Sequence, residues 1–128
     1  MYQIDNLSRT PVYEQIVEQT EQFVMKGILS PGDQLPSVRS LSVQLSINPN
    51  TIQKAYTELE RRGITLSAPG RGSFIPPDVS KIRARYKQEK LDQLKDILAE
   101  LKSLGFAQNE LDSLANEIYS PQEGGSSK

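Results

Sequence analysis

Apolar residues recur at helical spacing in two short segments near the middle of the chain. In the first segment, Val38, Leu41 and Leu45 fall on one face. The hydroxyl of Ser37 can cap the free amides of the turn that follows it. Because the pattern stops at residues 46–48, the sequence predicts a short helix that begins at Ser37.

A second helix is predicted immediately afterwards. Asn48 can cap it, and Pro49 stands at its first position, where the fixed φ of proline suits a helix. Four apolar residues at i, i+3, i+4 and i+7 form a stripe that must be buried: Ile52, Ala55, Tyr56 and Leu59. Gly63 then supplies the left-handed backbone that ends the helix.

The opposite face of this second helix is polar. It carries short or flexible polar side chains: Asn50, Thr51, Gln53, Lys54 and Thr57. Such donors and acceptors, near the start of the second helix of a helix-turn-helix, are typical of contacts with base edges in the major groove of DNA. The pattern therefore favours a DNA-binding protein over an enzyme.

Two short runs of alternating apolar residues follow, 64–67 and 73–75, and they predict a β-hairpin. In the loop between them Arg71 lies between Gly70 and Gly72, so no neighbouring side chain blocks its approach to phosphates or to a minor groove. An isolated Gly-Arg-Gly loop is most often a solvated turn. After a helix-turn-helix, it indicates a DNA-binding wing.

A longer set of positions, in unbroken spacing over about half of the chain, carries a family resemblance. The set comprises Gly27-Ile28-Leu29, Pro31-Gly32-Asp33, Leu35-Pro36-Ser37, Arg39, Leu41, Thr51, Ala55-Tyr56, Leu59, Gly63, Gly70 and Gly72-Ser73-Phe74. It resembles the N-terminal domain of the GntR transcription regulators. The resemblance implies a winged helix that binds operator DNA as a dimer.

The resemblance also implies roles for single residues. Arg39 is similar to the family's arginine that contacts backbone and bases. The other implied DNA contacts are Asn50, Thr51, Gln53 and Lys54 on the recognition helix and Gly70, Arg71 and Gly72 in the wing. Four positions depart from the common pattern: Pro49 replaces a frequent arginine, Thr65 replaces an apolar strand residue, and Ala68 and Pro69 replace residues that are often basic.

Some of these residues have simpler structural interpretations. Arg39 could form a surface ion pair with Glu58 or Asp33, which would have little energetic consequence. Arg61 and Arg62 are expected to be solvated cations that interact favourably with the helix dipole. Asp33 is also expected to stabilise a Pro-Gly-Asp turn.

A further helix is predicted before the helix-turn-helix, with Thr10 as its cap and Pro11 as its first residue. Its apolar side consists of Tyr13, Ile16, Val17, Thr20, Phe23 and Val24. Gly27 ends it. This helix would cover the side of the helix-turn-helix that would otherwise lack a core.

Pro76-Pro77 is expected to separate two domains, since neither proline extends a strand or follows a helical residue. We therefore expect a winged helix-turn-helix DNA-binding domain at residues 1–76 and a two-helix dimerisation region at residues 77–120. A disordered Gly/Ser-rich tail is expected at residues 121–128. The fold class is mainly α with a small β-wing.

Asp78 or Ser80 can cap the first helix of the second region, and Gly105 ends it. Apolar residues keep helical spacing in both of its helices: Val79, Ile82, Tyr86, Leu91, Leu94, Ile97, Leu98, Leu101 and Leu104, then Leu111, Leu114, Ala115 and Ile118 between residues 107 and 119. Two such helices cannot close a core, so a second copy of the chain is the simplest partner.

The short second region is similar to the YtrA-like branch of the family, whose members often lie beside transporter genes. It leaves room for a small effector only at a dimer interface or between the domains, and the sequence does not identify that effector.

The chain has no cysteine and no histidine. This excludes disulfides, cysteine-rich zinc sites and Ser-His or Cys-His catalysis, and no cofactor or metal ion is expected. Asp92 and Asp96 lie one helical turn apart beside lysines and are interpreted as a solvated face. The protein is therefore not expected to be an enzyme.

The net charge is −1, less positive than is usual for a nucleic-acid-binding protein. Residues 31–77 hold five cations and three anions, and residues 81–90 hold five cations and one anion. Residues 91–128 hold three cations and seven anions. The acidity therefore lies away from the predicted DNA-binding face.

Together these observations favour a homodimeric, sequence-specific transcription repressor of a transporter-type operon. Residues 1–9 lack the pattern of a signal peptide, and no apolar segment is long enough to span a membrane, so a cytoplasmic location is expected. The alternative is a winged-helix module that binds another protein through the face of residues 50–57. The polar side chains of that face and Arg71 favour DNA.

Overall fold

The computed structural model describes residues 1–121, which fold into five helices and a two-stranded antiparallel sheet. The elements are α1 (Val12–Met25), α2 (Val38–Leu45), α3 (Pro49–Arg61), β1 (Leu66–Ala68), β2 (Gly72–Phe74), α4 (Ser80–Ser103) and α5 (Gln108–Tyr119). The mainly helical fold with a β-wing is confirmed. All of the predicted tail except Pro121 lies outside the described residues. The chain forms two compact units, Met1–Lys87 and a second that starts at Gln88.

The core of the first unit lies around α3, which packs against both α1 and α2. Its buried apolar residues include Ile16, Val17, Val24, Leu29, Leu35, Leu41, Ile52, Ala55, Leu59, Ile64 and Ile75. Tyr56 is also buried, as predicted, and its hydroxyl donates to the carbonyl of Pro36 at 2.7 Å. That bond links α3 to the segment that leads into α2, and burial raises the pKa of Tyr56.

The predicted caps of the helix-turn-helix are confirmed. Ser37 Oγ accepts a hydrogen bond from the amide of Ser40 at 3.0 Å, and Asn48 Oδ1 accepts one from the amide of Asn50 at 2.8 Å. Ser46 ends α2 with a left-handed backbone, at φ 56°. These local bonds fix both ends of the short connection between α2 and α3.

The prediction that Thr10 caps α1 is wrong. The helix starts at Val12 with Pro11 as its cap residue, and no side chain caps it. The carbonyl of Thr10 instead accepts a hydrogen bond from Gln15 Nε2 at 2.8 Å. Gln15 also bonds to the amide and the carbonyl of Asp5, each at 2.9 Å. Because Gln15 satisfies these backbone groups, the N-terminal segment is tied to α1 without a hydroxyl cap.

The first compact unit extends beyond the boundary expected at Pro76-Pro77. Val79 and Ile82 are 7% and 4% exposed and belong to its core cluster. Asp78 Oδ1 accepts a hydrogen bond from the amide of Ser80 at 2.9 Å, which lowers the pKa of Asp78. The first turns of α4 are therefore part of the first unit, because their apolar side completes its core.

The predicted hairpin is present, with strand ends that differ by one or two residues from the predicted ones. Leu66 pairs with Phe74, and Ala68 pairs with Gly72. The pairing of Ala68 and Gly72 shortens the expected loop to three residues. The amide of Arg71 donates to the carbonyl of Ala68 at 2.9 Å across this turn.

The second unit contains the rest of α4 and all of α5. Gly105 has φ 94° and ends α4, while Glu110 Oε1 accepts a hydrogen bond from the amide of Ala107 at 2.8 Å and starts α5. Many of its large apolar side chains are exposed: Leu91, Leu94, Ile97, Leu98, Leu104, Phe106, Leu114 and Ile118. Within residues 1–121, no helix is both long enough and apolar enough to cross a bilayer.

Candidate nucleic-acid interface

The outward face of α3 consists of polar side chains held on a rigid element. Asn50, Gln53 and Lys54 are exposed and Thr51 is partly buried. Gln53 Nε2 donates to Thr57 Oγ1 at 3.3 Å, one helical turn further along. The opposite stripe of α3 is buried, which restricts rotation of the helix. These polar groups therefore face solvent at a fixed spacing from each other.

Lys54 differs from its neighbours on this face, because it contacts α1. Its Nζ lies 4.2 Å from the centroid of the Tyr13 ring. The Tyr13 hydroxyl donates to Glu14 Oε1 at 3.2 Å, and this bond is the main cause of a raised pKa of Tyr13. Sequence reasoning missed this cation–π contact, which holds the ammonium group beside the start of α1.

A double-mutant cycle tests the contact between Tyr13 and Lys54. We expect Tyr13→Ala and Lys54→Ala to be coupled by about 0.5–1 kcal/mol in the free energy of unfolding, the usual strength of an exposed cation–π pair. Tyr13→Phe keeps the aromatic face and should retain the coupling. Denaturant titrations of the single and double variants measure it, and additive effects would contradict the contact.

Arg39 is exposed on α2 and forms no ion pair within residues 1–121. Asp33, one of its possible partners, instead closes the predicted turn by accepting a hydrogen bond from the amide of Ser30 at 2.8 Å. The other, Glu58, binds Arg61 and Arg62. The surface ion pair suggested for Arg39 is therefore not formed.

Arg61 is exposed to solvent and Arg62 is partly exposed, as expected, but both also form ion pairs that were not predicted. Arg61 Nε donates to Glu58 Oε1 at 2.9 Å, and Arg62 Nε donates to Glu58 Oε2 at 2.8 Å. Hydrogen bonds from the two guanidinium groups lower the pKa of Glu58 to about 2. Both residues lie within one turn of Glu58 on a helix, so i,i+3 and i,i+4 spacing was the signal that could have revealed these pairs.

The wing tip presents Arg71 as an exposed cation. Gly70 and Gly72 have φ of 75° and 118°, a backbone region that favours glycine. The guanidinium carbon of Arg71 lies 5.9 Å from the centroid of the Phe74 ring, and Arg71 has no carboxylate partner in the described part of the chain. Its charge is therefore not neutralised by a neighbouring side chain.

A third backbone segment, which sequence reasoning missed, supports the wing. The amide of Leu35 donates to the carbonyl of Ser73 at 2.9 Å, and the amide of Ile75 donates to the carbonyl of Asp33 at 2.8 Å. Gln34 lies opposite Phe74 in an antiparallel bridge. The segment is too short to show a strand period, so only the buried Leu35 could have pointed to it.

The wing tip and the start of α2 border the same surface depression. Ser37 and Val38 line it from the helix side, and Gly70, Arg71 and Gly72 line it from the wing side. Two of the regions that the sequence assigned to DNA contacts are therefore neighbours in the fold. Its lining residues include one cation, Arg71, and no acidic side chain.

Comparisons with known proteins agree with this arrangement. Residues 12–75 match the family described as bacterial regulatory proteins, gntR family. The HTH-type transcriptional repressor YtrA of Bacillus subtilis (strain 168) is 40% identical over 126 residues, which cover 98% of this chain and 97% of that protein. A crystal structure of a transcriptional regulator from Oenococcus oeni has a TM-score of 0.77 and 34% identity, over 92% of this chain and 98% of that one.

The similar solved structures include complexes with DNA. The AraR DNA-binding domain in complex with operator ORX1 matches with a TM-score of 0.51 and 28% identity. The match covers 57% of this chain and 90% of that domain.

Proposed function

Because this chain belongs to the gntR family of bacterial regulatory proteins, we propose that it is a homodimeric repressor that binds operator DNA sequence-specifically. Helix-turn-helix transcriptional regulation is the activity of its relatives. The role of repressor rests on the similarity to YtrA along nearly the whole chain. No enzymatic activity is proposed.

The exposed polar face of α3 carries this proposal. Asn50 and Gln53 offer amide groups that can both donate and accept, and such groups pair bidentately with adenine edges in the major groove. The hydroxyl of Thr51 can form a hydrogen bond with base groups that donate or with base groups that accept. Since α3 is capped at its start and buried along its other side, these groups can be presented to bases without ordering a flexible segment.

Arg39 and Arg71 supply the positive charge for the same interaction. Both are exposed, and neither is neutralised by a carboxylate within residues 1–121. We assign Arg39 to contacts at the DNA backbone and neighbouring bases, and the tip of Gly70, Arg71 and Gly72 to phosphates or a minor groove. Lys54, which lies beside Tyr13, contributes a further positive charge to DNA binding.

The homodimer is proposed from the second unit. Leu94 and Ile97 are 49% and 53% exposed, and further apolar side chains of α4 and α5 are similarly uncovered. An uncovered apolar surface of this kind favours association. A second copy of the chain has the same surface, so a two-fold symmetric pairing can cover both.

The regulated operon and the effector are more remote parts of the proposal. A transporter-type operon is proposed from the likeness to the YtrA-like branch, and a small effector is proposed to bind at the dimer interface. Because the proposed function needs access to operator DNA, we propose that the protein acts in the cytoplasm.

Selection of bound fragments from random DNA tests sequence-specific binding. We expect a defined motif, and Asn50→Ala or Gln53→Ala should relax the preference at particular positions at a cost on the order of 1–3 kcal/mol there. Arg71→Ala should instead weaken binding to all sequences more evenly, because phosphate contacts carry no sequence information.

Two outcomes would contradict the proposal. If the Asn50 and Gln53 variants keep the wild-type preference at every position, α3 does not read the bases. If the wild-type chain enriches no DNA, the protein-binding alternative for the same face gains support. Gln44→Ala, which removes an exposed amide of α2 outside this face, is a matched control that should leave the motif unchanged.

A further inference from the structure

Gln34 connects the segment before α2 to the wing tip. Its Nε2 donates to the main-chain carbonyl of Arg71 at 2.7 Å, although 37 residues separate the two in sequence. Gln34 itself pairs with Phe74 through the backbone. The side chain and the backbone of one residue therefore hold two points of the hairpin, one of them at its tip.

The space beside Gly72 is occupied by the same side chain. A Cβ built on Gly72 would lie 2.8 Å from Gln34 Nε2, and Gly72 has φ +118°. Glycine thus meets two requirements at this position, a left-handed backbone and close approach of an amide group. The Gln34 side chain therefore lies against the wing tip, although the residue is exposed to solvent.

This support matters because the hairpin is small. Strands β1 and β2 have three residues each, and a two-stranded hairpin is marginally stable on its own in water. Arg71 stands in the three-residue turn between them, where the peptide groups have few other partners. A bond to the carbonyl of Arg71 limits the directions in which this residue can project.

We propose that Gln34 is a positioning residue for DNA binding, which acts by holding the peptide of Arg71 so that its guanidinium group meets the DNA with little loss of freedom. This inference rests on the proposed function, since it gives Gln34 a role only if Arg71 contacts DNA. A side chain that is already held in its bound conformation loses less conformational entropy on binding, which raises affinity.

The test is a thermodynamic cycle on the full-length protein, with operator affinity as the readout. Gln34→Met keeps the length and most of the volume of the side chain but has no donor, and we expect it to weaken binding about three- to tenfold, the loss of one hydrogen bond. In an Arg71→Ala background the same change should have no further effect. Gln44→Ala, on the exposed face of α2, is the matched control and should leave affinity unchanged.

Amide hydrogen exchange at Arg71 and Gly72 in the absence of DNA gives a second readout. Gln34→Met should speed exchange at the wing tip and leave the rates in α1 and α3 unchanged. Weaker binding with unchanged exchange would contradict the positioning role, as would an equal loss of affinity in the wild-type and Arg71→Ala backgrounds. Those results would mean that Gln34 contacts DNA itself.

Failure of the proposed function has a different signature. If the wild-type chain binds no DNA, or if Arg71→Ala binds as the wild type does, the wing has no role in recognition and the inference for Gln34 falls with it. If Arg71→Ala weakens binding and Gln34→Met does not, the proposed function stands and only the role of Gln34 is overturned.

Discussion

Replacing Leu98 with Asp is expected to convert the proposed dimer into a monomer that binds a single half-site. Leu98 lies on α4 among exposed apolar side chains and is itself 38% exposed in one copy of the chain. A carboxylate there would be desolvated without a partner when two copies pair. A monomer binds only one half-site, whereas in a dimer the binding of one subunit brings the other close to its own half-site. Loss of this effect should lower operator affinity roughly 10²–10⁴-fold.

Sedimentation velocity measures the oligomeric state directly. Ala99→Asp introduces the same charge one residue later, on the side of α4 away from the leucines, and should remain dimeric with full affinity. A dimer that persists in Leu98→Asp with full operator affinity would mean that the two copies meet elsewhere, and α1 would be the next surface to test. The two recognition helices of a symmetric dimer also require a palindromic operator, with half-sites about 10 base pairs or a multiple of that apart.

A truncated chain that lacks the second unit offers an independent comparison, provided that it ends in the right place. The sequence alone suggests a cut after Pro77. That cut would remove Val79 and Ile82 from the core of the first unit, and burial of a Val or Ile side chain is worth about 1.5–3 kcal/mol. A chain that ends at Lys87 keeps both residues and should be a folded monomer.

Local rules of the sequence were sufficient for the helix-turn-helix. The caps at Ser37 and Asn48, the proline at the start of α3 and the buried stripe through Ile52 and Leu59 all depend on residues within one or two turns of each other. Contacts at such short separation follow from spacing alone. Helix α3 could therefore be predicted with its polar face exposed and its apolar stripe buried.

Contacts between distant parts of the chain could not be predicted in this way. Gln34 bonds to Arg71 across 37 positions, and the Tyr2 hydroxyl bonds to Thr20 at 2.7 Å across 18. Lys54 could be assigned to the polar face of α3, but its contact with Tyr13 depends on how α1 packs against that helix. The periodicity of one element contains no information about its partners. The helices of the site were therefore predictable, whereas the support of the wing and the surroundings of Lys54 were not.

Operator affinity is expected to fall steeply with salt concentration, although the net charge of the chain is −1. Neutralisation of each phosphate contributes roughly −0.9 to the slope of log affinity against log salt. If Arg39 and Arg71 each contact one phosphate in both copies, four phosphates give a slope of about −3.6. Between 50 and 200 mM salt, that slope corresponds to a loss of affinity of roughly a hundredfold.

Substitutions of single arginines separate local charge from overall charge. Arg71→Ala removes two phosphate contacts from a dimer and should make the slope shallower by about 1.8. Arg61→Ala removes the same formal charge, but Arg61 binds Glu58 on the surface of α3, so the slope should stay at the wild-type value. Equal changes of the slope in both variants would mean that DNA affinity depends only on net charge. An affinity of the wild type that does not change with salt would count decisively against DNA binding. A shallower slope in Arg71→Ala alone would locate the phosphate contact at the wing tip.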